Sequence, residues 1–152
     1  MEIGVAMPTQ LSIDEARIRR RLGQWTEAIR AMRLKDVMSI YAPDIVSFDV
    51  EPPLQHVGTE AKKKRWEDVF AIYQRPLGYE IRDLTITLCE GMAFGHSLNR
   101  ISGSLTNGDT TGFWLRWTTC FRKIDGEWLI AHEQLSVPFD PKTGRAFLNL
   151  AP

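Results

Sequence analysis

The sequence predicts an α+β fold in which three N-terminal helices pack against one face of a curved antiparallel sheet. Apolar residues recur at helical spacing in the first half of the 152-residue chain. From Tyr79 onward the chain instead consists of long stretches rich in β-branched and aromatic residues, separated by glycine-containing turn sequences. Helices followed by a run of antiparallel strands are typical of α+β domains.

The first half contains three helical patterns, each with one apolar stripe. Ser12 followed by Glu15 forms a capping box and predicts the start of a helix that runs to about Ala31. A short second helix is predicted over 35–41, because Pro43 prevents its continuation, and a strand follows over 45–50. Thr59 can cap a third helix, which ends before Pro76.

The second half contains four strand patterns. They cover Tyr79–Leu88, Met92–Ser102, Thr111–Lys123 and Glu127–Val137. A strongly curved sheet closed by three helices forms a cone whose interior the walls cannot fill, so a pocket is expected. We therefore predict a flexible N-terminus over 1–11, one domain over 12–138 and a C-terminal tail over 139–152.

Composition excludes several classes of function. Hydrophobic residues make up 43% and charged residues 25% of the chain, and the 19 basic residues balance the 19 acidic ones. We expect no nucleic-acid partner, because sequence-independent binding to phosphates needs clustered positive charge. We expect no membrane partner and no secretory signal, because no apolar run spans a bilayer and residues 1–10 lack a basic start and an apolar stretch. Two isolated cysteines, Cys89 and Cys120, favour the cytoplasm.

Two stretches of the chain resemble the nuclear transport factor 2-like superfamily, in its SnoaL-like or ketosteroid-isomerase-like branch. Met38–Asp49 (MSIYAPDIVSFD) is similar to the family's segment from the second helix to the first strand. Thr118–Trp128 (TTCFRKIDGEW) with 132–136 (HEQLS) resembles the closing hairpin of SnoaL-like domains and of the calcium/calmodulin-dependent kinase hub domain. The resemblance covers about 12–137. It implies a cystatin-like roll, and it implies little about activity, because this fold supports many functions.

The comparison with ketosteroid isomerase is partial. Asp49 falls where that enzyme keeps its proton-shuttling carboxylate, Trp25 where it has the oxyanion-hole tyrosine, and Thr119 where it has the oxyanion-hole aspartic acid. The position of the base is retained and both oxyanion donors are changed. Because the loss of one such donor typically removes about 10²–10³ in rate, the resemblance argues against steroid isomerisation by that mechanism.

Asp49 has two interpretations. If its side chain points into the cone, burial should raise its pKa and make it a usable base. Otherwise it is a strand-end aspartate that binds the backbone of the next turn. The resemblance favours the first interpretation.

His132 and Glu133 are neighbours on the last strand, so only one of them faces the cavity. The preceding strand should place Trp117 and Thr119 on its inner face. A two-residue turn at Asp125-Gly126 would put His132 opposite Thr119 and inside, whereas a three-residue loop with a glycine bulge would put Glu133 inside. Resemblance to the hub domain favours Glu133.

His96 is a further candidate for acid–base chemistry, because a two-residue turn at Asn107-Gly108 would pair it with Thr119 inside the pocket. It could equally be a hydrogen-bonded core histidine. The three histidines lie far apart and the cysteines form no ligand cluster, so we expect no metal and no cofactor.

A set of aromatic and polar residues should line or floor the cavity and contact the ligand. Its members are Trp25, Tyr41, Trp66, Phe70, Asn99, Trp117 and Thr119. The basic run Lys62–Arg65 is interpreted as a solvated helix face. The outer face of the sheet, with Arg116, Thr118, Cys120, Ile130 and His132, should be covered in a homodimer.

Two functions of different classes fit these observations. The first is a cofactor-free isomerase, dehydratase or cyclase that acts on a small apolar carbonyl compound, with Asp49 as base and His96, Thr119 or Glu133 as acid or orienting group. The second is a non-catalytic ligand-binding or dimeric assembly module of the same fold.

Overall fold

Three helices cover the inner face of a six-stranded sheet in the computed structural model, which describes residues 7–152. The helices are α1 (Gln10–Arg30), α2 (Leu34–Met38) and α3 (Gly58–Ile72). The strands are β1 (Tyr41–Phe48), β2 (His56–Val57), β3 (Gly78–Cys89), β4 (Met92–Ser104), β5 (Thr110–Ile124), β6 (Glu127–Ser136), β7 (Phe139–Asp140) and β8 (Arg145–Ala146). The predicted α+β class is confirmed.

The order of strands in the sheet is β2-β1-β6-β5-β4-β3. All neighbours are antiparallel except β1 and β6, which run parallel. The sheet is therefore mixed rather than purely antiparallel. The parallel pair brings the end of β1 beside the end of β6, and this neighbourhood places Ser47 next to Glu133.

The predicted start of α1 is wrong by a few residues. Thr9 is the N-cap, and its hydroxyl accepts from the Ser12 backbone N–H at 3.1 Å. The Ser12 hydroxyl in turn donates to the Thr9 carbonyl, and Glu15 pairs with Arg19. Thr9 and Ser12 both have hydroxyls that can cap a helix, so composition alone does not fix the first turn. Residues 1–6 of the predicted flexible N-terminus lie outside the described residues.

Two other helix boundaries differ from the prediction. The second helix ends at Met38, and Tyr41 already begins β1, because Pro43 is accommodated inside the strand where the register with β6 shifts between Tyr41 and Val46. The third helix begins at Gly58 without a side-chain cap, so Thr59 lies inside its first turn.

The apolar stripe of α1 packs on the sheet. Ile18, Leu22, Trp25 and Ile29 are all buried. The indole of Trp25 stacks on that of Trp117 from β5, with ring centroids 5.1 Å apart and planes at 7°. Stacked aromatic pairs contribute about 0.5–1.5 kcal/mol beyond their buried area. This contact fixes how deeply α1 sits in the cone.

The chain after β6 folds back along the outside of the sheet. It forms the short hairpin β7–β8, and Leu150 and Pro152 then lie beside Leu98 and Trp114 of the outer face. No helix within residues 7–152 is long and apolar enough to cross a bilayer.

Asp14 ties α1 to the hairpin between β5 and β6. Its Oδ1 accepts from Trp128 Nε1 at 3.1 Å and from Lys123 Nζ at 3.2 Å. These hydrogen bonds, that of Trp128 first, lower the pKa of Asp14 below its ordinary value of 3.8, although burial opposes them. A depressed folded-state pKa stabilises the fold above the unfolded value, and this stabilisation is lost as the pH falls through the folded pKa.

Asp14→Asn should lower the free energy of unfolding at pH 7 by about 1–2 kcal/mol, because the hydrogen bonds to a charged acceptor become weaker. The difference from wild type should shrink as the pH falls through the folded pKa of Asp14. Urea denaturation at several pH values measures both effects, with the exposed Asp68→Asn on α3 as the control. A difference that stays constant from neutral to acidic pH would contradict this assignment.

Candidate functional site

A cavity of about 80 Å³ lies between α1, α3 and the inner face of the sheet. Its walls are mainly apolar and aromatic. The apolar and aromatic lining residues are Trp25, Val50, Trp66, Val69, Tyr79, Ile101, Phe113, Leu115 and Leu135. Five charged side chains also reach it, namely Asp49, Glu51, Lys62, Arg65 and Glu133. The charged side chains come from β6, from α3 and from the residues that follow β1.

Glu133 is the buried centre of these charged groups, with 1% of its surface exposed. Its Oε1 lies 2.5 Å from Lys62 Nζ and accepts from the Ser47 hydroxyl at 2.9 Å. Its Oε2 accepts from Trp117 Nε1, also at 2.9 Å. Three elements, β1, β5 and α3, thus supply donors to one carboxylate on β6. This carboxylate thus has one cation and two neutral hydrogen-bond donors around it, the compensation that a buried charge requires.

The inward direction of Glu133 is set by a bulge rather than by the turn. Asp125 and Gly126 form the two-residue turn, both with positive φ (50° and 81°), and Ile124 pairs with Glu127. Phe121 still pairs with Ile130, but Cys120 pairs with His132, so Ala131 is the extra residue. A one-residue slip exchanges the faces of a strand. Glu133 therefore points inward, as the resemblance favoured. The prediction of a three-residue loop as the cause is wrong, because the turn has two residues and the bulge lies at Ala131.

The same bulge corrects the position of Ile130. It was expected on the outer face, but it precedes the bulge and is completely buried in the core. His132 does lie on the outer side, half-buried, with its ring 4.8 Å from that of Phe48 and its Nδ1 2.7 Å from the Val46 carbonyl oxygen.

Lys62 and Arg65 are functional-site residues that the sequence interpretation missed, since their basic run was expected on a solvated face. Lys62 is 2% exposed. Besides Glu133, its Nζ contacts the Ser47 hydroxyl at 3.2 Å and lies 5.5 Å from the Tyr41 ring centroid. The spacing contained the signal: Lys62 precedes Trp66 by four residues and so lies on the apolar stripe of α3.

Asp49 lies just beyond β1 at the rim of this network. Its Oδ1 accepts from the Val50 backbone N–H at 2.7 Å, and its Oδ2 lies 3.1 Å from Arg65 Nε and 3.7 Å from Lys62 Nζ. Burial alone would raise the pKa of Asp49, but the charges of Lys62 and Arg65 outweigh it and lower the pKa. The expected upward shift is therefore wrong. Asp49 does face the cavity, as an ionised carboxylate.

His56 adds a buried imidazole next to this network, and sequence reasoning gave it no role. It pairs with Ser47 across β1 and β2. Its Nε2 is buried and has no hydrogen-bond partner among residues 7–152. Burial lowers the pKa of His56, with Lys62 and Arg65 adding to the effect against the opposing charge of Asp49. A neutral imidazole is thus held beside the charged cluster.

His96 does not enter the cavity, which corrects its candidate role. It pairs with Thr118 and is exposed on the outer face. The hairpin between β4 and β5 closes with a bond from the Leu105 N–H to the Asp109 carbonyl, which leaves three residues in the loop, and Gly108 has φ +94°. Compared with the expected two-residue turn, this loop moves the register by one and turns His96 outward.

The expected ligand-binding residues divide into two groups. Trp25 and Trp66 line the cavity. Five others support it from behind or beside it without lining it: Tyr41, Phe70, Asn99, Trp117 and Thr119. Among the supports, the Tyr41 hydroxyl accepts from Trp66 Nε1 at 3.0 Å, and Trp117 binds Glu133.

Tyr79, which sequence reasoning did not single out, also lines the cavity. Its hydroxyl oxygen accepts from Asn99 Nδ2 at 2.9 Å, and the Ser97 hydroxyl donates to Asn99 Oδ1 at 2.7 Å. Burial raises the pKa of Tyr79 well above its ordinary value, so its hydroxyl stays protonated. Asn99 and Ser97 are both buried. Tyr79, Asn99 and Ser97 thus form an uncharged hydrogen-bonded group, in contrast to the charged cluster around Glu133.

Comparison with known proteins identifies the family. Residues 18–140 match the family of SnoaL-like domains. The chain belongs to the SnoaL-like family. No curated protein matches this chain.

Solved structures place the family in the nuclear transport factor 2-like superfamily. The SnoaL-like chain is 30% identical to an NTF2-like protein of unknown function from Pseudomonas putida KT2440, with 93% of this chain and 98% of that one covered and a TM-score of 0.84. A ketosteroid isomerase-like protein from Erwinia carotovora atroseptica SCRI1043 is 21% identical, with 80% and 93% covered and a TM-score of 0.68. A cystatin-like-fold protein of unknown function from Nostoc punctiforme is 16% identical, with 90% and 96% covered and a TM-score of 0.69. The predicted superfamily is confirmed, and the last two likenesses show the fold alone.

The two residues at the oxyanion positions of the resemblance are buried in this SnoaL-like protein. Trp25 Nε1 and Thr119 Oγ1 have no hydrogen-bond partner among residues 7–152. Within the same range, no group of three or more His, Cys, Asp or Glu side chains is placed to hold a metal ion. The charged residues at the cavity are paired with one another: Glu133 with Lys62, and both Asp49 and Glu51 with Arg65.

Lys62→Met should destabilise the protein by about 3–5 kcal/mol, because it leaves Glu133 buried without its cation. Adding Glu133→Gln to this variant should restore much of the loss, since the uncompensated charge is then removed. Chemical denaturation of the single and double variants gives the coupling energy.

The matched control is Lys64→Met, two residues along the same helix on its exposed side. It should change the free energy of unfolding by less than about 1 kcal/mol. Equal stability of the Lys62 and Lys64 variants would show that the buried ion pair contributes nothing.

Proposed function

We propose that this SnoaL-like protein binds a small, mainly apolar organic molecule that carries a carbonyl group, and catalyses a cofactor-free proton transfer on it. Isomerisation, dehydration and cyclisation all begin with such a step. The observation that carries the proposal is that one apolar-walled cavity is lined by both a carboxylate, Asp49, and an ammonium, Lys62, only 3.7 Å apart. Proton removal next to a carbonyl needs these two groups together.

Asp49 is the proposed base and Lys62 the proposed donor to the carbonyl oxygen. Two of the Lys62 contacts, to Glu133 and Ser47, are within hydrogen-bond distance, whereas the Asp49 oxygen is farther away. A ligand oxygen can therefore take the third N–H. That donation would stabilise negative charge on the oxygen as the proton leaves carbon. Glu133 and Ser47 hold the ammonium in place.

The catalytic roles first proposed for other residues change accordingly. Glu133 becomes a positioning residue, because both of its oxygens already accept hydrogen bonds. His96 and His132 lie on the outer side of the sheet and take no part. Thr119 stays behind the cavity wall.

A second candidate function is ligand binding without catalysis. The specific observation in its favour is that the pKa of Asp49 is lowered by Lys62 and Arg65 against the effect of burial. A carboxylate that is paired in this way is a weak base. In this alternative the charged cluster only orients the ligand.

Turnover of a β,γ-unsaturated cyclohexenone in D₂O, followed by NMR, tests the proposal. The wild-type protein should isomerise this ketone and incorporate deuterium, and Asp49→Asn should slow the reaction by about 10²–10⁴. Asp44→Asn is the control, since Asp44 is a strand residue with a 66% exposed side chain. The wild-type rate should persist below pH 5, because Asp49 with a lowered pKa remains ionised there.

Two results would contradict catalysis by this site. One is an Asp49→Asn protein that is as active as wild type. The other is a wild-type protein whose thermal stability rises with the ketone present but which neither isomerises nor deuterates it. The second result would support the binding function instead.

We also propose that the protein is a cytoplasmic homodimer that associates through the outer face of its sheet. Phe48, Met92 and Phe94 are large apolar side chains exposed on that face. Cys89 and Cys120 are free thiols, in keeping with a reducing compartment. A stable dimer buries about 800 Å² on each partner.

Sedimentation at micromolar concentration should give the mass of a dimer for the wild type, and Phe94→Glu should shift it toward the monomer. Leu54→Glu is the control, because Leu54 is exposed in the loop between β1 and β2 and not on the sheet face. A wild-type monomer would contradict the proposal.

A further inference from the structure

The hydroxyl of Tyr79 is a buried donor whose hydrogen is not used by any residue of the described part of the chain. Its oxygen accepts from Asn99 Nδ2 at 2.9 Å. The Oδ1 of Asn99 in turn accepts from the Ser97 hydroxyl at 2.7 Å. In this arrangement the amide is a donor to the tyrosine and leaves the O–H of Tyr79 unused. Within residues 7–152 the bond from Asn99 is the one hydrogen bond that the Tyr79 hydroxyl makes.

The position of Tyr79 makes this free hydrogen relevant to a ligand. The side chain lines the cavity, and its ring packs edge-on against that of Trp25, with centroids 5.4 Å apart. A buried donor without an acceptor is unfavourable, so it favours any ligand group that accepts its hydrogen. Ser97 and Asn99, both buried, hold it in that orientation.

The charges around the cavity restrict the class of ligand. Three carboxylates and two cations line it, and Lys62 and Arg65 are already paired with Glu133 and Asp49. A ligand carboxylate would find no unpaired cation there and would lose its hydration. An uncharged ligand with an oxygen acceptor needs no cation as a partner and loses less hydration on binding.

We infer that Tyr79 is the specificity-determining donor of this cavity: its hydroxyl binds an uncharged oxygen acceptor, a carbonyl or hydroxyl oxygen of the ligand, and Asn99 with Ser97 positions it. This inference rests on the proposed function, in that it takes the cavity to be the ligand site. It adds a donor from β3, on a different element from Lys62. The neutral state of Tyr79, maintained by burial, suits donation.

A pair of probes that differ in one group tests this assignment. Cyclohexanone and methylenecyclohexane have the same ring, and only the first has an oxygen acceptor. NMR titration of the wild-type protein should give a lower Kd for the ketone by more than about fivefold, because Lys62 and Tyr79 both donate to its oxygen. In Tyr79→Phe this preference should fall by about fivefold, the effect of one neutral hydrogen bond, chiefly through weaker ketone binding. Cyclohexanecarboxylate should bind the wild type more weakly than the ketone does.

Tyr73→Phe is the matched control, because Tyr73 is also buried but does not line the cavity. It should keep the ketone preference of the wild type. A second variant covers the case in which Tyr79→Phe is unstable: in the double variant Lys62→Met, Glu133→Gln, which lacks the other proposed donor, the ¹³C resonance of the bound ketone's carbonyl should still move downfield, as it does when a hydroxyl donates to the oxygen.

The outcomes separate this inference from the proposed function. Binding of both probes with no ketone preference, or a preference that Tyr79→Phe leaves unchanged, would overturn the role of Tyr79 and leave the ligand site intact. Tighter binding of the carboxylate would overturn the uncharged class. Binding of neither probe would overturn both the inference and the proposed function.

Discussion

The buried ion pair between Glu133 and Lys62 is the constraint on which the rest of this structure depends. A carboxylate and an ammonium in a dry interior are stable only if their geometry is good and their remaining hydrogen-bond capacity is used. Here Ser47, Trp117 and the pair itself meet that requirement. Satisfying one carboxylate therefore fixes the relative positions of β1, β5, β6 and α3, the elements that surround the mouth of the cavity.

This constraint also explains the irregularities of the sheet. A regular β6 would turn His132 inward, opposite Thr119, and leave Glu133 outside. The extra residue at Ala131 reverses that arrangement, and on the other edge of β6 the register with β1 shifts at the same residue, from Tyr41 opposite Ile130 to Val46 opposite His132. Bulges near functional sites often re-aim a side chain in this way. The cost to the ladder is one unpaired residue, and the gain is a carboxylate at the cavity.

The sequence was sufficient to predict the α+β class, the four long strands and the burial of the aromatic stripes, since these depend on periodicity and turn residues that act locally. It was not sufficient for the directions of His96 and Glu133. The direction of each side chain changes when the strand pairing shifts by one residue. The loop at Gly108 sets that pairing for His96, and the bulge at Ala131 sets it for Glu133. Lys62 was missed for a different reason. A lysine in a basic run is normally solvated, and only its partner, 71 positions away on another element, makes its burial possible.

The site's electrostatics bear on how one fold can support both catalysis and simple binding. A carboxylate that acts as a base must not be fully paired with cations, because pairing lowers its affinity for a proton. A carboxylate that only binds a ligand benefits from such pairing, which fixes its position. In this protein the same two cations that hold Asp49 in the cavity also lower its pKa. Its basicity would therefore rise as negative charge develops on a substrate oxygen bound to Lys62, because that charge offsets the effect of the ammonium on Asp49. Proton transfer would thus be coupled to occupation of the third Lys62 N–H by substrate oxygen, and an empty cavity would be chemically inert.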